Sequence, residues 1–262
     1  MVSSGQAILL GVVQGLTEFL PVSSSGHLVL GQHLLGLDEP EMLFDVAVHV
    51  GTLLAVVAYF WRDLWAMLRG LWGRDEEAER GRRLIWLVLA GSVPTAIIGV
   101  LFRHDFEALF ASVRAVGIAL FITGALLLAT HFAPPPRREI WRFGAGRALV
   151  VGFVQGLAIT PGISRSGSTI SVALMLGVER KLAAHYSFLL SLPAIMGALL
   201  LHLKDLGPGQ EVAWTPLLLG GAVAGVTGLV ALKLLIGVVQ RGGLHWFAFY
   251  CWALGAAALI LG

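Results

Sequence analysis

Apolar residues run along this chain in long stretches, without the regularly spaced polar positions that give a soluble helix or strand its wet face. Stretches of roughly 20 residues, enough to cross a bilayer, fall at 42–61, 84–102, 113–132, 183–203, 214–236 and 244–262. They predict six spanning helices. Two further stretches, 5–36 and 148–177, are similarly apolar but break in the middle, at "LPVSSSGH" and "TPGISRSGS". From the first break to Gly36 is about ten residues, which at about 1.5 Å per residue reaches half way through a hydrocarbon core about 30 Å thick. Each broken stretch is therefore expected to be a re-entrant helical hairpin. Irregular backbone at that depth is tolerated only where protein or a water-filled cavity covers it, so both breaks should line a cavity.

The hairpins copy each other. A shift of 141 places aligns Gln14-Gly15-Leu16 with Gln155-Gly156-Leu157, then Ser23, Ser25 and Gly26 with Ser164, Ser166 and Gly167, and Leu35-Gly36 with Leu176-Gly177. Eight identities in 23 ungapped positions indicate an internal duplication: a first repeat at 1–132, a linker at 133–147 and a second repeat at 148–262. Each repeat holds one hairpin and three spans. A hairpin returns to the side it left and three spans change sides, so the second repeat is inverted relative to the first and the two tips can meet near the midplane. The fold expected is an all-α polytopic membrane protein with an inverted-topology repeat.

Composition narrows the class further. With 57% hydrophobic and 13% charged residues and a mean hydropathy of +0.83, the chain is too apolar for a soluble domain. A net charge of +2 gives no case for a nucleic-acid partner. The single cysteine, Cys251, excludes an intrachain disulfide. The first 20 residues lack the basic start and small-residue cleavage pattern of a secretory leader, so none is expected. With the loops at 62–83, 133–147, 177–184 and 233–243 in the cytoplasm, 14 of the 18 Lys and Arg residues lie there, including Arg137, Arg138 and Arg142 of the linker. The other face receives Arg103, Arg114 and Lys204, and residues 1–61 carry none. The bias predicts both termini outside, the first hairpin entering from the outer face and the second from the cytoplasm.

The remaining basic residue, Arg165, falls inside the second hairpin, where a charge costs about 2.5–3.5 kcal/mol on insertion scales. It needs an anion. One reading is a structural pair with Glu18; the other is an anion site, in which Ser164, Arg165, Ser166, Gly167, Ser168 and Thr169 offer hydroxyls, a guanidinium fork and helix-start N–H groups to phosphate oxygens. The first hairpin repeats the run as Ser23, Ser24, Ser25, Gly26 and His27, with an imidazole in place of Ser168. Glu18 lies one turn after Gln14 and just before the break; a carboxylate there suits a phosphate site if a divalent cation such as Mg²⁺ bridges them, or if it acts as a base. His49 sits alone on an apolar helix, the setting of a hydrogen-bonded structural histidine.

The motifs "QGLTEFLPVSSSGH" and "PGISRSG" resemble the two signatures of the undecaprenyl-diphosphate phosphatase family, membrane phosphatases associated with bacitracin resistance, and the similarity runs through essentially the whole chain. The resemblance implies hydrolysis of undecaprenyl diphosphate to undecaprenyl phosphate and inorganic phosphate, recycling the lipid carrier of cell-wall synthesis. It implies catalytic roles for Glu18, Ser24, His27 and Arg165, and phosphate contacts from Gln14, Ser23, Ser25, Gly26, Ser164, Ser166, Gly167 and Thr169. It also implies a divalent metal, Mg²⁺ or Ca²⁺, for which Gln14 at the first motif position leaves Glu18 as the carboxylate. A polyprenyl diphosphate lipid and the bilayer are the partners, with a homodimer as a candidate assembly. The location implied is the inner (plasma) membrane, with the site opening on the outer, periplasmic side. Two mechanisms fit: attack by Ser24 with His27 as its base, or attack by water oriented by His27 and a metal near Glu18. A secondary transporter or lipid flippase binding an anionic headgroup is the competing class, because such proteins are also built from inverted repeats with broken helices.

Overall fold

The computed structural model describes residues 2–37, 42–135, 143–205 and 213–261. All regular structure among them is helical: α1 (Ser4–Phe19), α2 (Ser24–Leu34), α3 (Met42–Tyr59), α4 (Trp61–Arg69), α5 (Glu76–Leu101), α6 (Arg103–Phe110), α7 (Val113–Ala129), α8 (Ala145–Leu157), α9 (Arg165–Met175), α10 (Arg180–Asp205), α11 (Trp214–Gln240) and α12 (Phe247–Leu261). Short 3-10 turns at Thr130–Phe132 and Leu244–Trp246 follow α7 and precede α12. The predicted hairpins are α1/α2 and α8/α9, and the 141-place shift holds to the residue for α2 and α9 at both ends. Arg137, Arg138 and Arg142 of the expected linker lie outside the described residues.

Of the six expected spans, four stand among the described residues as single helices long and apolar enough to cross a membrane: Glu76–Leu101, Val113–Phe132, Arg180–Leu201 and Trp214–Gln240. The span expected at 42–61 breaks at Phe60, where the chain turns by 69° into α4. Beyond Tyr59 the pattern becomes amphipathic. Ala66 is buried against Gly81 of α5 while Trp61, Trp65 and Leu68 are exposed, and Arg62, Asp63 and Arg69 favour a helix lying at the interface over one continuing through it. The span expected at 244–262 is a shorter apolar helix, Leu244–Ile260, whose first turn is 3-10. α5 begins before position 84: Asp75 accepts the Ala78 N–H at 2.8 Å, and Glu76, Glu77 and Glu79 occupy the first turn, where the helix dipole favours them.

The two halves exchange their hairpin arms. α1 lies along α11 of the second half, and α8 along α5 of the first. Glycines make this possible: Gly11 packs against Gly220, and its partner by duplication, Gly152, against Gly91, where a Cβ would overlap the facing backbone. Small residues one turn apart let membrane helices approach this closely. Phe19, at the end of α1, meets Phe188 of α10 edge to face at 5.7 Å, fixing the first hairpin against the buried core of the second half.

Candidate active site

Each hairpin tip is tied by its own serine. Ser23 Oγ accepts the Gly26 N–H at 3.3 Å and lies 3.3 Å from Ser25 Oγ; Ser164 Oγ accepts the Gly167 N–H at 3.0 Å and lies 3.4 Å from Ser166 Oγ. The backbones differ. Ser164 is relaxed at φ −71°, whereas Ser23 sits at φ 68° and ψ 97°, the one non-glycine residue with positive φ among the described residues. Such a conformation costs on the order of 1–3 kcal/mol and persists only where the surroundings enforce it. It falls on the hairpin that carries the carboxylate and the imidazole.

The tips touch. Ser166 Oγ donates to Leu20 O at 3.4 Å, a Cβ on Gly26 would meet Gly162 Cα at 3.3 Å, and one on Gly167 would meet Pro21 Cβ at 3.1 Å. Thr123 of α7 locks the second tip from the side, donating to Gly162 O at 2.9 Å and accepting the Ser164 N–H at 3.0 Å.

At this junction Glu18, only 6% exposed, gathers four groups. Its Oε1 takes Arg165 Nη2 at 2.5 Å. Its Oε2 accepts Ser24 Oγ–H at 2.6 Å and Gln14 Nε2–H at 3.0 Å, and lies 3.8 Å from His49 Nε2. Two polar atoms beside it are buried without a hydrogen-bond partner among the described residues: Arg165 Nη1 and Gln14 Oε1. Leaving such groups unsatisfied costs about 1–3 kcal/mol each, more for a charged one, so the site is built to be completed by something that accepts from a guanidinium and donates to, or coordinates, an amide oxygen.

Glu18, Arg165, Ser24 and Gln14 are thus brought together, and the pair with Glu18 uses one arm of the guanidinium and leaves the other over. Of the remaining residues named from sequence, Ser168 Oγ is also buried without a hydrogen-bond partner among the described residues, and the others have other occupations. Ser23, Ser25, Ser164 and Ser166 secure the tips, and the N–H groups of Gly26 and Gly167 are taken by those caps. Thr169 Oγ1 bonds Arg165 O at 2.7 Å and Ser187 Oγ at 2.5 Å. His27 does not reach Ser24, the contact expected of its base. Its Nδ1 lies 2.8 Å from Ser23 O and its Nε2 2.8 Å from Tyr250 OH, so the Ser24 hydroxyl goes to Glu18 instead.

Sequence reasoning missed Tyr250, a lone tyrosine in an apolar helix 223 positions away, which carried no signal. It also undervalued His49, whose Nδ1 makes the expected backbone bond, to Asp45 O at 2.6 Å, while its other nitrogen faces Glu18. Spacing did contain that signal: a histidine on the helix after a hairpin that carries a buried carboxylate.

Among the described residues no group of three or more His, Cys, Asp and Glu is placed to hold a metal. The donors that exist, the Glu18 carboxylate, the unpartnered Gln14 Oε1 and the His49 imidazole, are of types that divalent cations accept when substrate phosphate oxygens complete the shell.

Fold and site together define an integral membrane protein in which two opposed hairpin tips enclose a hydroxyl, a carboxylate and a half-satisfied guanidinium. The chain belongs to the family described as Bacitracin resistance protein BacA, whose model matches residues 7–257. It is 47% identical to the undecaprenyl-diphosphatase of Desulfatibacillum aliphaticivorans over 97% of each chain. The corresponding figures are 44% over 98% of each chain for the protein of the same name from Desulforapulum autotrophicum, and 44% over 98% for that from Korarchaeum cryptofilum.

Proposed function

We propose that this chain hydrolyses undecaprenyl diphosphate to undecaprenyl phosphate and inorganic phosphate. The relatives' shared name supports the substrate, and one observation carries the chemistry: Glu18 holds the Ser24 hydroxyl on one oxygen and Arg165 on the other, while the second arm of Arg165 has no partner among the described residues. The terminal phosphate of the substrate binds to that arm. In doing so it draws the guanidinium partly off Glu18 and leaves the carboxylate free to take a proton. Ser24 Oγ attacks the terminal phosphorus, its proton passes to Glu18 Oε2, and the bond from that phosphorus to the bridging oxygen breaks, releasing undecaprenyl phosphate. Undecaprenyl phosphate departs as the anion. Water then attacks the phosphoserine, giving a proton to Nε2 of His27 on the next turn of α2; the phosphorus–Oγ bond breaks, inorganic phosphate leaves and Ser24 regains its proton from Glu18. Arg165 stabilises the charge on the phosphoryl oxygens in both steps.

A divalent metal, Mg²⁺ or Ca²⁺, belongs to the proposal: the oxygen donors of Glu18 and Gln14 would hold it together with phosphate oxygens, and it would offset charge on those oxygens. The proposed setting is the plasma membrane, with both termini and the mouth of the site on the outer face, a reading supported by the loop charges and by the absence of Lys and Arg from residues 1–61.

The test uses purified protein and undecaprenyl diphosphate labelled in its terminal phosphate. Wild type should release phosphate and carry label on the chain after acid quench, whereas Ser24→Ala should lose turnover by at least about 10³-fold and carry none. Turnover in Ser24→Ala near that of wild type would refute the serine mechanism.

A further inference from the structure

His27 is held at both ends of its ring, and its two partners differ in kind. Ser23 O is a carbonyl and can only accept, so Nδ1 carries the hydrogen and donates at 2.8 Å. In the neutral ring this leaves Nε2 with its lone pair, and Tyr250 OH, at 2.8 Å, donates to it. The two rings lie parallel, within 2°, at a centroid distance of 5.7 Å. Tyr250 belongs to α12, the last helix of the second half, whereas His27 belongs to the first hairpin.

The placement of Tyr250 is itself supported. Its neighbour Cys251 points its Sγ at Pro21 O, 3.6 Å away, so consecutive residues of α12 address both sides of the first hairpin tip. α12 is seated on α7 by the close approach of Gly117 and Gly255; Trp252 of the same helix makes a separate, exposed bond, its Nε1–H donating to Phe121 O at 3.1 Å. The phenol is thus delivered from a braced helix rather than from a loop.

We propose that Tyr250 is a positioning residue for the reaction: with the tautomer already set by Ser23 O, it fixes the ring plane of His27 and holds Nε2, the nitrogen that accepts the proton, at the edge of the site until substrate binds. The inference rests on the role given to His27 above. It gives the second half of the duplication a part in the chemistry beyond Arg165, and it explains why His27 is free of Ser24: both ring nitrogens are occupied, one by Ser23 O and the other by Tyr250 OH.

The experiment compares Tyr250→Phe, which keeps the ring and its packing, with Trp252→Phe, which removes a different hydrogen bond of the same helix, and with His27→Asn. In purified protein, Tyr250→Phe should lower kcat by about tenfold, the worth of one neutral hydrogen bond, with KM within about twofold, while Trp252→Phe leaves both unchanged. In ¹⁵N-histidine-labelled protein without substrate, the His27 Nε2 resonance, assigned by its loss in His27→Asn, should move in Tyr250→Phe and stay in Trp252→Phe. Wild-type kcat in Tyr250→Phe, an unmoved Nε2 resonance, or an equal loss of kcat in Trp252→Phe would each overturn the proposal. If His27→Asn retains wild-type turnover, the role given to His27 fails; if it is inactive and Tyr250→Phe is normal, only the present inference fails.

Discussion

Arg165→Lys separates the two duties of the guanidinium. In the structure Nη2 lies 2.5 Å from Glu18 Oε1 and Nη1 is buried without a partner among the described residues, on a side chain only 15% exposed. A lysine ammonium preserves the charge and can stay with Glu18, so the buried carboxylate remains compensated and the protein should still insert and fold. A point charge engaged with Glu18 cannot also present a second, rigidly spaced donor to the phosphoryl group. Losing one donor aimed at developing charge costs about 10²–10³ in kcat, or about 2.7–4 kcal/mol of transition-state stabilisation. Arg165→Ala behaves differently: it strands Glu18 in the interior, which costs about 3–5 kcal/mol of stability in addition to activity. The assay is phosphate release from undecaprenyl diphosphate, with kcat and KM determined separately, beside thermal unfolding in the same detergent. Lysine should give near-native Tm with kcat reduced at least about 10²-fold, and alanine a clear fall in both. Turnover within about threefold of wild type in Arg165→Lys would refute the two-armed assignment, and an unchanged Tm in Arg165→Ala would refute the buried pair as a structural element.

Gly152→Ala should lower Tm, at a cost of about 1–3 kcal/mol, because its Cβ would overlap the Gly91 backbone; Gly146→Ala, with open space around it, is the control and should be neutral. Membrane topology is checked by single cysteines at Trp72, 74% exposed, and Leu34, 71% exposed. An impermeant maleimide applied from outside should label Leu34→Cys and not Trp72→Cys, with buried Cys251 silent, and the reverse pattern would invert the proposed orientation.

Much of this protein was determined by local and compositional facts that a sequence states directly. Apolar length set the class, since a run of apolar residues long enough to span has no other favourable solvent. The 141-place repeat set the helix ends of α2 and α9, because the same serine cap starts each. The cost of a lone arginine at membrane depth required Arg165 to have an anionic partner, while whether that was Glu18 or a bound anion stayed open until the structure placed Glu18 Oε1 beside it. The bend at Phe60 was less legible: apolar content carries across it, and only the amphipathic pattern of residues 61–69 packing on α5 turns the helix. What the tertiary structure alone decided is who touches whom. Ser24 and His27 are three residues apart on one helix, and spacing makes them partners. Yet a hydrogen bond is set by direction within a few tenths of an ångström, and that direction came from elsewhere in the chain. Glu18, held by Arg165 across the duplication, takes the serine, and Tyr250, delivered by the last helix, takes the histidine.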